Sequence, residues 1–248
     1  MSDAMMAETI RIRGHDDDDI PAYFARPLGD GPYGAVIVLH HMPGWDEATK
    51  EIARTFAVNG YLALCPNLHF REKPDASSPS EAAQAVRDAG GVPDARCVGD
   101  AAGAARFLRS HPTANGKIGV IGYCSGGRQA YLVACSLELD GAVDCYGGNV
   151  VAGPDQLTER MPVAPIDLTP NLSCPLLGLF GAEDQHPPPE QVAQIEAALR
   201  DHGKTYEFHT YENAGHAFFS VDRPTMFRAD AALDGWEKIW SFFGRYLR

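Results

Sequence analysis

Hydrophobic and polar positions along the chain follow two rhythms, one of strands and one of helices. Residues 8–14 and 20–27 alternate, which predicts two half-buried strands joined by His15-Asp16-Asp17-Asp18-Asp19. The four aspartates lack the ligand spacing of a calcium loop and read as a solvated hairpin turn. Gly34 to Leu39 is a continuous apolar run, which predicts a central parallel strand. A helical pattern follows from about Asp46 to Val58, then a strand over Tyr61–Cys65. A polar loop spans Phe70 to Ser80, and helical sequence then runs to about Ser110 with a break at Gly90-Gly91-Val92-Pro93. Ile118–Ile121, Gly141–Tyr146, Pro175–Gly181 and Thr205–Tyr211 are strand-like. An Ala/Leu-rich helix follows the first of these, a helix over Glu190–Asp201 follows the third, and an amphipathic helix over Met226–Leu247 closes the chain. Val151 to Ser173 has four prolines and no period, so it reads as a surface loop that roofs a site or acts as a lid. Strands alternating with helices predict a single α/β domain over 1–248, with a mostly parallel, doubly wound sheet flanked by helices.

Three strand ends carry chemistry. The first is Gly122-Tyr123-Cys124-Ser125-Gly126-Gly127, where a strand meets a helix. Glycines two before and two after Cys124 allow a sharp turn that a Cβ would crowd, setting the thiol at the helix N-terminus where a thiolate is favoured. The second is Gly181-Ala182-Glu183-Asp184 and the third Asn213-Ala214-Gly215-His216. Nucleophile, acid, histidine is the chain order of the α/β-hydrolase triad, each member just past a strand end. Cys124, Asp184 and His216 are therefore the catalytic candidates, with Glu183 and Glu212 as rivals for the acid. The Ser125 N–H is one candidate oxyanion donor.

With these motifs in view, the chain resembles the dienelactone hydrolase (carboxymethylenebutenolidase) family of the α/β-hydrolase superfamily. The matching pieces are Gly-Tyr-Cys-x-Gly-Gly, Gly-x-x-Asp, Ala-Gly-His-x-Phe, and Gly60-Tyr61 through Pro66-Asn67-Leu68. The resemblance implies an α/β-hydrolase fold and hydrolysis of a carboxylic ester or lactone by a cysteine nucleophile, with no cofactor and no metal. It also implies the Met42 N–H as second oxyanion donor. His41 stands where the family carries a glutamate that contacts the resting thiol. An imidazole there is expected to favour the Cys124 thiolate, the alternative being a loop histidine packed on Trp45 or bonded to backbone. Ser220 and Ala82 stand where family arginines bind a substrate carboxylate, which makes a neutral or larger ester as plausible as dienelactone. Arg71, Arg87 and Arg223 are possible replacements or solvated surface groups. Trp45, Phe70, Tyr146, Phe218 and Phe219 lie near expected strand ends and are candidates for an apolar pocket or for core.

Composition narrows the class. In 248 residues, 45% hydrophobic and 22% charged, the net charge is −12, which disfavours nucleic acid and anionic membrane as partners. No apolar run is long enough to span a membrane, and the N-terminus lacks signal-peptide pattern. Six scattered cysteines without CxxC pairing suggest reduced thiols in a cytoplasmic, monomeric or homodimeric enzyme. Two other readings remain: a broad esterase, thioesterase or phosphotriesterase using the same triad, and a non-catalytic relative acting as a binding module or thiol redox sensor.

Overall fold

The computed structural model describes residues 4–248. In chain order the elements are β1 (Met5–Arg13), β2 (Asp19–Pro27), β3 (Tyr33–Leu39), α1 (Glu47–Val58), β4 (Leu62–Pro66), α2 (Pro79–Asp88) and α3 (Asp94–Ser110). Then come β5 (Ala114–Tyr123), α4 (Ser125–Ala134), β6 (Gly141–Cys145), β7 (Leu176–Gly181), α5 (Pro189–Asp201), β8 (Tyr206–Tyr211) and α6 (Ala229–Tyr246). The strands form one sheet in the order β1-β2-β4-β3-β5-β6-β7-β8. β2 runs antiparallel to β1 and β4, and the remaining pairs are parallel. This is the α/β-hydrolase arrangement that the triad order predicts.

Period-two alternation of β3 divides the core. Ala35, Ile37 and Leu39 face α3, α4 and α5, while Val36 and Val38 face α1 and α6. Fully burying each such aliphatic side chain stabilises the fold by roughly 1.5–3 kcal/mol. Local sequence chemistry starts the helices. Asp46 accepts the Thr49 N–H at 2.9 Å to cap α1, and Ser78 accepts the Glu81 N–H at 3.2 Å ahead of Pro79 in α2. α4 has no side-chain cap, because Cys124 occupies that place. Its first N–H groups are left for a ligand or for the sulfur.

Two sequence expectations change in detail. The elbow strand starts at Ala114, not Ile118, because Ala114 pairs with Tyr33 across a register shift. The 151–173 loop holds two short 3₁₀ turns, Pro154–Gln156 and Pro165–Asn171. It is pinned by Arg160, which donates to Glu72 at 3.0 Å and to the Gly91 carbonyl at 2.7 Å, while its own carbonyl receives the Asp94 N–H at 2.8 Å. Among the described residues no helix is long and apolar enough to cross a membrane, and no group of His, Cys, Asp and Glu has the geometry to hold a metal ion.

Candidate active site

The chain splits to either side of the sheet between β3 and β5, and their C-terminal ends open a crevice there. Cys124 stands at this point with φ 57° and ψ −121°, a left-handed backbone that costs about 1–3 kcal/mol in a residue with a Cβ. The glycines around it are required by close approach. A Cβ on Gly122 would lie 1.8 Å from the Gly126 carbonyl oxygen, and one on Gly126 would lie 2.2 Å from that of Leu39.

His216 follows β8 and donates from Nδ1 to Asp184 Oδ2 at 2.9 Å. Asp184 is fully buried, and its other oxygen receives the His186 N–H at 2.7 Å. The rivals Glu183 and Glu212 are exposed and make no bond to the ring. Burial opposes a charge on His216, but the hydrogen bonds to Asp184 and Cys124 outweigh it and raise the imidazole to about 10. Burial likewise pushes the Cys124 thiol up, and His216 with the N–H groups of Ser125 and Met42 reverses the shift, so the thiol lies below its ordinary value. The same two N–H groups stand beside the sulfur, the arrangement that an oxyanion hole requires. Cys124, Asp184, His216, Met42 and Ser125 are thus brought together.

His41 is placed differently from the expectation. Its Nε2 is 2.7 Å from Asp46 Oδ2, and the groups that polarise the thiol are His216 and the two backbone amides. The α1 cap carboxylate, five residues on, is the partner of the imidazole. Arg71 is also elsewhere. It binds Asp100 through both Nη atoms at 2.8 and 2.9 Å and Asp18 through Nε at 2.6 Å, tying the β1–β2 turn to α3. Trp45 donates to the Cys65 carbonyl at 3.1 Å and shares a depression with Phe70 that contains no triad member. Phe218 is fully buried core.

Tyr146 and Phe219 line a cavity of about 170 Å³ with His41, Tyr123 and Ser220. Tyr146 has φ 44° and packs its ring 5.1 Å from that of His216, with Ser220 and the Phe219 backbone beside its phenol. Cys124 itself opens into a second cavity of about 270 Å³, walled by Met42, Val92, Gln129 and Arg128, with Met161 from the roof loop. Arg128 is held by Asp94 at 2.6 and 3.1 Å. Sequence reading missed Arg128, Gln129 and Met161. Arg128 carried a signal, since it lies four residues past the nucleophile, on the same face of the following helix.

The chain is similar to known proteins over nearly its whole length. The model of the family described as "Dienelactone hydrolase family" matches residues 20–247. A Methylorubrum extorquens protein named "Putative carboxymethylenebutenolidase" is 35% identical over 232 residues, 93% of this chain and 78% of its own. A Bradyrhizobium protein named "Probable 2-oxo-3-(5-oxofuran-2-ylidene)propanoate lactonase" is 30% identical over 249 residues, 98% of each chain. The crystal structure of a "Putative Dienelactone Hydrolase" from Klebsiella pneumoniae superposes with a TM-score of 0.87 at 31% identity, covering 98% of this chain and 100% of that one. On the matched span, the sheet order and the relatives together, the chain belongs to the dienelactone hydrolase family.

Proposed function

We propose that this protein hydrolyses a carboxylic ester or lactone through a Cys124–His216–Asp184 triad and a thioester acyl-enzyme. The observation that carries the reading is the strained turn that sets Cys124 beside His216, whose ring is bonded to the buried Asp184 at 2.9 Å. The Cys124 thiolate adds to the carbonyl carbon, and the oxyanion is held by the two N–H groups. The imidazolium of His216 protonates the departing alkoxide as the C–O bond breaks. His216 then takes a proton from water, whose oxygen attacks the thioester; collapse releases the acid and returns the thiolate. Asp184 keeps the His216 proton on Nδ1 and offsets the charge on the ring.

The cavity walls favour a neutral acyl group. No lysine lines the cavity that holds Cys124, and the charge of Arg128, its one arginine, is matched by Asp94. A buried carboxylate without a cation partner is costly. The reading extends to a reducing, cytoplasmic setting, supported by six cysteines that form no disulfide.

The test is turnover of dienelactone, p-nitrophenyl acetate and paraoxon, before and after one equivalent of iodoacetamide. Selective labelling of Cys124 with loss of ester or lactone turnover is expected, and Cys124→Ala should lower kcat by about a thousandfold or more. Turnover that survives either change defeats the reading. Paraoxon as the preferred substrate would move it to phosphotriester chemistry. Between p-nitrophenyl butyrate and p-nitrophenyl hemisuccinate, the neutral ester should be preferred by about tenfold or more.

A further inference from the structure

We propose that His40 is a positioning residue for the oxyanion hole, acting through the His41–Met42 peptide; the inference rests on the triad reading above. His40 follows the last residue of β3 and is 1% exposed. Its Nδ1 lies 3.0 Å from the His41 carbonyl oxygen, and its Nε2 lies 3.2 Å from the Leu68 N–H. A carbonyl only accepts and an amide N–H only donates. Nδ1 must therefore carry the proton and Nε2 the lone pair, which fixes one neutral tautomer.

The carbonyl that His40 holds and the N–H that faces the sulfur belong to one planar unit. In a trans peptide the C=O and N–H point in opposite directions, so fixing the His41 oxygen fixes the direction of the Met42 N–H. The Gly44 N–H also donates to that oxygen, at 3.0 Å. Two donors on one carbonyl polarise the amide and strengthen its N–H as a donor. Position 43 is proline and has no N–H to offer in place of Met42 if the peptide tips. The His40 ring is itself held by the edge of His69, with centroids 4.5 Å apart and planes at 90°. Burial pulls the His40 imidazole down to about 4, so the neutral form persists at neutral pH. Leu68 lies just past β4, so the oxyanion loop is braced through His40 against the neighbouring strand.

Two variants separate this role from simple filling of space. Asn at position 40 places an amide N–H near the site of Nδ1, whereas Gln places its terminal group near Nε2. His40→Asn keeps a donor for the His41 carbonyl, and His40→Gln keeps only the partner of Leu68. With p-nitrophenyl acetate, H40Q should lose about tenfold in kcat with KM within about twofold, while H40N stays within about threefold of the parent. The limiting rate of iodoacetamide alkylation at alkaline pH forms no oxyanion and should stay within about twofold in both. Equal losses in the two variants, a loss carried by KM, or a matching loss in alkylation would overturn the proposal. A measurement on the parent protein stands apart from variant folding. In ¹⁵N-histidine NMR, His40 must show a protonated Nδ1 and a bare Nε2, and the opposite tautomer overturns the proposal. If the parent shows no turnover dependent on Cys124, the hydrolase reading fails instead, a result distinct from any effect at position 40.

Discussion

Two histidine sites in this molecule carry opposite charge tendencies, the partly exposed His216 on one side and the buried His40 and His69 on the other. His216 is raised to about 10, whereas His40 is lowered to about 4 and His69 to about 2. Burial pushes all three towards the neutral form. His216 differs because a buried carboxylate is bonded to it and a thiol stands beside it, while His40 meets only a carbonyl and an amide. His69 has an unpartnered Nδ1 and another imidazole as its neighbour. Apolar packing alone therefore makes histidine a neutral polar strut. An anion beside the ring turns the same residue into a proton carrier.

The sharpest way to break this contrast is Asp184→Asn, which gives His216 surroundings like those of His40. We expect a fall in kcat of about 10³–10⁴, as for loss of the acid in a serine triad. The Cys124 alkylation pKa should rise to the ordinary thiol value or above. An unchanged profile would mean that Asp184 does not set the charge on the ring.

Next in size is the pH dependence of stability, where the two sites act in opposite directions. His40 and His69 have folded values below the unfolded value near 6.5, so the unfolded chain binds more protons between them. Their neutral burial is fully tolerated above about pH 6.5. Stability falls as pH drops through the window towards 4, by up to about 1.4 kcal/mol per pH unit for each ring. His216 has a raised value, so its contribution is complete below about 6.5 and is lost as pH rises towards 10. Urea midpoints across pH should show both limbs, and His216→Gln should flatten only the alkaline one. The smallest effect concerns Tyr146→Phe, which keeps the ring contact to His216 and removes the phenol that stands beside Ser220 and Phe219. A change in kcat under about threefold is expected; a larger one would make the phenol part of the reaction rather than of the packing.

The sheet and the strand-end positions of Cys124, Asp184 and His216 were legible in the sequence because their signals are local. Apolar runs mark β3, β5, β6 and β7, and glycines around Cys124 mark a turn that admits no Cβ. Boundaries were less legible, as β5 extends back to Ala114 through pairing with a distant strand. The pocket was poorly legible because its walls come from contacts far apart in the chain. Arg71 is taken up by Asp100, and the Met161 roof is held by an Arg160–Glu72 pair 88 residues apart in the chain. His41 was misjudged for another reason. Its ring is bonded to the α1 cap Asp46, and a family position says nothing of that local partner. His40 passed unnoticed because its importance lies in which carbonyl it touches.

The fastening of the roof has a further consequence. Arg160 clasps Glu72, which Arg96 grips from the other side at 2.6 Å, and all three stand apart from the elbow and the triad. The ceiling over the sulfur is thus bolted to scaffolding that the reacting atoms never use. Selectivity and bond-breaking can then vary on separate parts of the chain, and a new ceiling can be grafted without retuning the engine beneath it.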